Sequence, residues 1–125
     1  PNLQRTCRKI VEKGADLVVC QHSHCVGCEE HYRGATIVYG QGNFLFDLCS
    51  NEYWDSSVLV RISDDFSIDY VPIVRHENAV RLASEDDAQR ILGDFGRRSE
   101  EITRDGFVAK HYREFALRAM GEDDE

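Results

Sequence analysis

An α/β fold, a mixed sheet with flanking helices, is predicted by three features of this sequence. An amphipathic stretch leads directly into a continuous apolar run, two alternating apolar stretches flank an acidic turn, and helical periodicity takes over after Ser84. The 125 residues suffice for one domain with a modest core.

The elements follow in order. Leu3, Cys7, Ile10 and Val11 fall on one helical stripe and Gly14 follows, which predicts an amphipathic helix closed by a glycine C-cap. Residues 15–20 read as a strand whose run Leu17-Val18-Val19-Cys20 is continuous, the pattern of a strand covered on both faces. A loop holding His22 and His24 comes next. Residues 29–32 and 36–39 pair through a turn at Arg33-Gly34, and Gly40 and Gly42 punctuate the approach to Asn43. Val58, Val60 and Ile62 alternate with Leu59 and Arg61, Asp64 and Asp65 make a turn, and residues 67–74 alternate again, so this pair predicts an antiparallel hairpin in the same mixed sheet. Ser84 with Asp87 three positions on is a capping-box signal, and Ile91, Leu92 and Phe95 give the helix behind it an apolar face. Phe107, Tyr112, Phe115, Ala116 and Ala119 predict one more helix, with a joint between the sheet and its helical tail expected around Gly93 to Arg98.

Composition excludes several classes of function. With 15 Lys and Arg against 23 Asp and Glu, the formal charge of -8 repels a phosphate backbone, so no nucleic-acid partner is expected. Part of that excess is the acidic run 122–125, read as a solvated tail. No apolar run approaches the roughly 20 residues that span a bilayer. The chain opens on Pro1, without initiator Met or leader, and is expected to be a fragment. Cys7, Cys20, Cys25, Cys28 and Cys49 are odd in number and irregularly spaced, which suits reduced thiols in a cytoplasmic setting better than a disulfide framework.

His22 and His24 carry the chemistry. In an extended segment two residues apart share a side, their α-carbons about 7 Å apart, so both rings can address one metal. Neutral imidazole ligates zinc, manganese or iron. Taken alone, His-x-His is more often a pair of polar loop residues than a metal site. Asn43 is a candidate site-lining residue or a turn residue beside Gly42. His31, His76 and His111 have no partner motif and read as structural or solvated. Cys25-x-x-Cys28 beside Cys20, His22 and His24 supports a rival, a Cys/His structural zinc domain, though small semi-buried loop residues explain the two cysteines more simply. A redox Cys-x-x-Cys is less suited, because that chemistry wants a helix N-terminus to lower a thiol's pKa.

The stretch Gly14-Ala15-Asp16-Leu17-Val18-Val19-Cys20-Gln21-His22-Ser23-His24 resembles the segment of CapA and PgsA capsule-synthesis proteins in which a helix and a strand lead into a Gly-x-His-Pro-His loop. Glu30-His31-Tyr32-Arg33-Gly34 is similar to their next hairpin. Ile37-Val38-Tyr39-Gly40-Gln41-Gly42-Asn43-Phe44-Leu45-Phe46-Asp47 resembles their Tyr-Ser-Leu-Gly-Asn-Phe-x-Phe-Asp strand and turn. Cys20 stands where that pattern has Gly and Ser23 where it has Pro, so the loop backbone is expected to differ.

The resemblance implies a calcineurin-like metallophosphoesterase relationship. On that basis residues 1–75 would be the C-terminal part of the domain, about half of a four-layer α/β/β/α sandwich, with residues 76–125 a helical tail packing on it. It implies that His22 and His24 are metal ligands, the last two of a divalent centre (Mn, Fe or Zn) that is dinuclear in the full-length parent, whose other ligands this chain lacks. The fragment alone is then expected to be inactive and, without the N-terminal half of its domain, to expose an edge and self-associate. Poly-γ-glutamate capsule or its precursor is the implied partner, and a membrane-anchored extracytoplasmic parent competes with the cytoplasmic location that the thiols suggest. A non-catalytic binding or assembly module with the same fold is the main alternative.

Overall fold

The computed structural model describes residues 2–45, 51 and 53–121. Pro1, Phe46, Asp47, Cys49 and the acidic run 122–125, all singled out above, lie outside the described residues. The fold is α/β: helix α1 (Asn2–Glu12), strands β1 (Leu17–Val19), β2 (Glu29–Tyr32), β3 (Ala35–Val38), β4 (Ser56–Ile62), β5 (Ile68–His76) and β6 (Ala79–Leu82), and helices α2 (Glu85–Ile102) and α3 (Phe107–Gly121).

The strands form two sheets rather than one. The first is mixed, in the order β1-β3-β2, with β1 parallel and β2 antiparallel to the central β3. The second, β4-β5-β6, is antiparallel. The alternating stretches at 58–62 and 67–74 do pair as a hairpin, with Ile62 opposite Ile68 at its turn end, but the hairpin binds its own third strand, β6, instead of extending the first sheet. Alternation reports that a strand has one buried face and is silent on which sheet it joins. Of two isolated bridges, Val26 with Gln41 continues the β2–β3 register and Gly42 with Ser57 links that extension to β4 of the second sheet.

Helix α1 ends as its sequence predicts. The Gly14 N–H donates to the Val11 carbonyl at 2.8 Å and the Ala15 N–H to the Ile10 carbonyl at 3.4 Å, the paired bonds of a Schellman motif. Its apolar stripe is only half used, since Cys7 and Val11 are buried while Leu3 and Ile10 stay 53% and 44% exposed. Strand β1 departs from expectation in the same direction. It is an edge strand, Leu17 and Val18 are half-buried, and Val19 is exposed, so its continuous apolar run is not covered on both faces.

The expected joint at 93–98 lies inside α2, which runs unbroken because Ile91 and Phe95 are buried on one face while Gly93 and Gly96 border open space. The break comes later, at residues 103–106. Two apolar clusters result. Cys7, Val11, Cys28, Ala35, Ile37 and Tyr39 pack α1 onto the first sheet. Val26, Val58, Val74, Ile91 and Phe95 pack α2 onto the second. The Glu29 N–H donates to Ser99 Oγ at 2.9 Å, which pins α2 to the first sheet as well. No residue of α3 is buried. Among the described residues, no helix is long and apolar enough to cross a membrane.

Candidate functional site

The histidine loop leaves the carboxyl end of β1 and lies beside the carboxyl end of β3, the strand parallel to it. The crevice beyond the carboxyl ends of parallel strands is where open α/β sheets bind ligands. Pairing persists one residue past β1, the Cys20 N–H donating to the Val38 carbonyl at 2.8 Å, and then the backbone turns sharply. His22 and His24 both take positive φ, 87° and 58°, so the loop is not the extended segment that the spacing of two suggests. The rings nonetheless come together, their centroids 5.9 Å apart at a tilt of 50°.

Close approach by small residues holds the loop in place. Ser23 Oγ donates to the Cys25 carbonyl at 3.0 Å, and a Cβ on Gly40 would stand 2.6 Å from Ser23 Oγ and 3.0 Å from that same carbonyl oxygen. Only glycine lets the strand behind the loop come this near. Gly42 then takes φ 84° against the Ser56 carbonyl, where a Cβ would meet the oxygen at 2.6 Å, and this turn delivers Asn43 to the site.

Asn43 joins the histidine loop to the second sheet's entry. Its Oδ1 lies 2.7 Å from His24 Nδ1, and its Nδ2 donates to the Trp54 carbonyl at 3.2 Å. The Trp54 indole stacks on the His24 ring, centroids 4.8 Å apart and planes 23° apart. His22, His24, Asn43 and Trp54 therefore form one cluster, the candidate site. The sequence singled out the first three but not Trp54, which no motif marks; that it is the sole tryptophan was the one available signal.

The other expected residues fall elsewhere. His31 is exposed on β2 beside Thr36 and Glu29, His76 is exposed at the end of β5, and His111 sits on α3 against Phe107 and Glu114. Three of the thiols turn into the first apolar cluster rather than toward the histidines. Cys20 Sγ lies 3.5 Å from Cys7 Sγ in the first cluster, and Cys28 is buried in that same cluster. Burial pushes the Cys28 thiol up to about 11, the opposite of what a reactive Cys-x-x-Cys requires. Among the described residues, no three or more His, Cys, Asp or Glu side chains gather in a group that could hold a metal, so the Cys/His zinc arrangement is not assembled there.

A buried carboxylate not foreseen from sequence lies under this sheet. Glu30 accepts hydrogen bonds from the Arg8 guanidinium, from Tyr39 Oη at 2.6 Å and from Gln4 Nε2 at 3.4 Å. Burial and that carboxylate both push the Tyr39 phenol far above its ordinary range, so it serves as a fixed donor.

No curated protein matches the chain. Residues 1–48 match the family described as bacterial capsule synthesis protein PGA_cap, a span that holds α1, the first sheet, both loop histidines and Asn43. That match supports a capsule synthesis protein of the CapA type.

Proposed function

We propose that His22 and His24 are the last two protein ligands of a divalent metal centre, of manganese, iron or zinc, in a metallophosphoesterase-type domain that serves capsule biosynthesis. One observation carries this reading: two imidazoles of one loop stand 5.9 Å apart at the carboxyl ends of parallel strands. A ring centre lies roughly 3 Å from a metal held by one of its nitrogens, so a separation of this size lets both rings reach one ion. The donor chemistry also fits, since neutral imidazole suits each of these metals. When bound, the metal supplies Lewis acidity toward a phosphoryl or carbonyl oxygen. The chain's own residues bind and orient it.

On this reading the carboxylate ligands come from a segment outside this chain, which completes a dinuclear centre and the other half of a four-layer sandwich. The exposed apolar side chains of Leu3, Ile10 and Val19, together with the open edge of β1, suit a seam with that segment. Poly-γ-glutamate or its precursor is the substrate class, reached through a phosphodiesterase-type or peptide-bond hydrolysis. The isolated chain, with two ligands only, binds divalent ions weakly and does not turn over substrate.

The test is substitution in the full-length protein. His22→Ala or His24→Ala should lower metal content and cut metal-dependent hydrolysis a hundredfold or more, about 3 kcal/mol of barrier, while His31→Ala and His111→Ala change little. A double variant with wild-type turnover and metal content would sink the proposal. A second reading, a non-catalytic assembly module of the same fold, is favoured by one fact: among the described residues no third ligand joins the two histidines. Full-length protein that purifies without metal and gains none on incubation would select it.

A further inference from the structure

We infer that Asn43 is a positioning residue that holds His24 in its Nδ1–H tautomer and so turns the lone pair of Nε2 toward ligand. The inference rests on the metal-centre reading only for what Nε2 binds; the tautomer stands on the hydrogen bonds alone.

The orientation of the Asn43 amide follows from chemistry. The Trp54 backbone carbonyl can only accept, so the Asn43 atom 3.2 Å from it is the NH2 group. The other end, Oδ1, is an acceptor only, and it faces His24 Nδ1 at 2.7 Å. A neutral imidazole satisfies that contact in one way, with the hydrogen on Nδ1. The unprotonated nitrogen is then Nε2. Trp54 acts twice, because its carbonyl fixes which way the amide points and its indole, stacked at 4.8 Å, fixes the plane of the His24 ring. Metal-ligating histidines characteristically donate their second ring N–H to such an acceptor, which sets both tautomer and ring orientation. Here the acceptor is delivered from another loop, held by the Gly42 turn between the two sheets.

The imidazole nitrogens of the 15N-labelled chain report this directly. In a long-range proton–nitrogen correlation spectrum recorded at alkaline pH, His24 should show a protonated Nδ1 and an unprotonated Nε2. Exposed His76 should show the Nε2–H form that free imidazole prefers. Asn43→Asp keeps an acceptor and should retain the His24 pattern. Asn43→Leu has none and should revert it, with apparent zinc affinity of the full-length protein falling about ten- to a hundredfold. An Nε2–H His24 in the wild-type chain, or an unchanged Nδ1–H pattern in folded Asn43→Leu, overturns the inference. Zinc added to the full-length protein, where the proposed centre is complete, separates the two claims. Perturbation at Nε2 supports both, perturbation at Nδ1 overturns the positioning role while the metal reading stands, and no perturbation with Nδ1–H intact keeps the positioning role and counts against the metal reading.

Discussion

His22 and His24 hold backbone conformations that glycine would adopt more cheaply. A non-glycine residue at positive φ costs on the order of 1–3 kcal/mol when the surroundings impose it, and histidine is among the side chains that tolerate it best. His22 is exposed, so its ring contributes little packing against that cost. His22→Gly should therefore raise stability by about 1 kcal/mol, seen as a higher urea midpoint at unchanged slope, while removing one of the two proposed ligands. His24→Gly should not show the gain, because it also removes the stack on Trp54 and the bond to Asn43. A stability increase confined to His22 would mark strain retained for function. At the thiols, burial is decisive: Cys7 and Cys28 are both pushed up to about 11, Cys7 by burial and then by its bond to Cys20, and Cys28 by burial. A raised thiol pKa stabilises the fold below the ordinary value near 9 and is lost as pH rises toward 11, so the melting temperature should fall across that window. Cys25, only partly buried, should alkylate ahead of both at neutral pH.

Helix α2 shows how far local signals reach. Ser84 caps it by accepting the Asp87 N–H at 3.2 Å, and Glu85, Asp86 and Asp87 put negative charge at the positive end of the helix dipole. Ser84→Ala should cost about 1 kcal/mol, measured by thermal or urea unfolding. The hydroxyl's bond to Asp87, followed by the Arg90 guanidinium, holds that carboxyl below its usual value. Its stabilising effect is present above the unfolded carboxylate pKa and lost as pH falls below about 4. The turn at Gly42 is the corresponding device between sheets. A methyl there would meet the Ser56 carbonyl at 2.6 Å in a conformation that L side chains rarely adopt, so Gly42→Ala should destabilise by roughly 1–3 kcal/mol. Because this turn delivers Asn43, the same variant should release His24 from its tautomer, a change visible in the ring-nitrogen spectrum.

At the scale of the molecule, two small cores share one helix, and much apolar surface stays uncovered. Leu3, Ile10 and Val19 line the α1–β1 side, while α3 leaves Phe115, Leu117 and Met120 more than half exposed and buries nothing. Apolar area of this kind, together with an open parallel edge, drives association. The isolated chain should self-associate at high concentration in light scattering, and Val19→Lys on the β1 edge should reduce it. A concentration-independent monomer would show that these surfaces need no partner.

Short-range physics was readable in the residues themselves. The Schellman close at Gly14, the Ser84 cap and the β2–β3 and β4–β5 hairpins each depend on groups a few positions apart, and periodicity or motif spacing expresses them. What lay beyond that range was decided in three dimensions. Alternation could not say that β4 and β5 would take β6 into a second sheet, and glycine content could not say that α2 would continue through Gly93 and Gly96 once Ile91 and Phe95 were anchored. Asn43 was suggested by its motif, but its bond to His24, the stack of Trp54 and the burial of Glu30 arise where distant segments meet. Hydrogen-bond partners 11 to 26 positions apart leave no periodic trace in a single chain, because their encounter is set by packing.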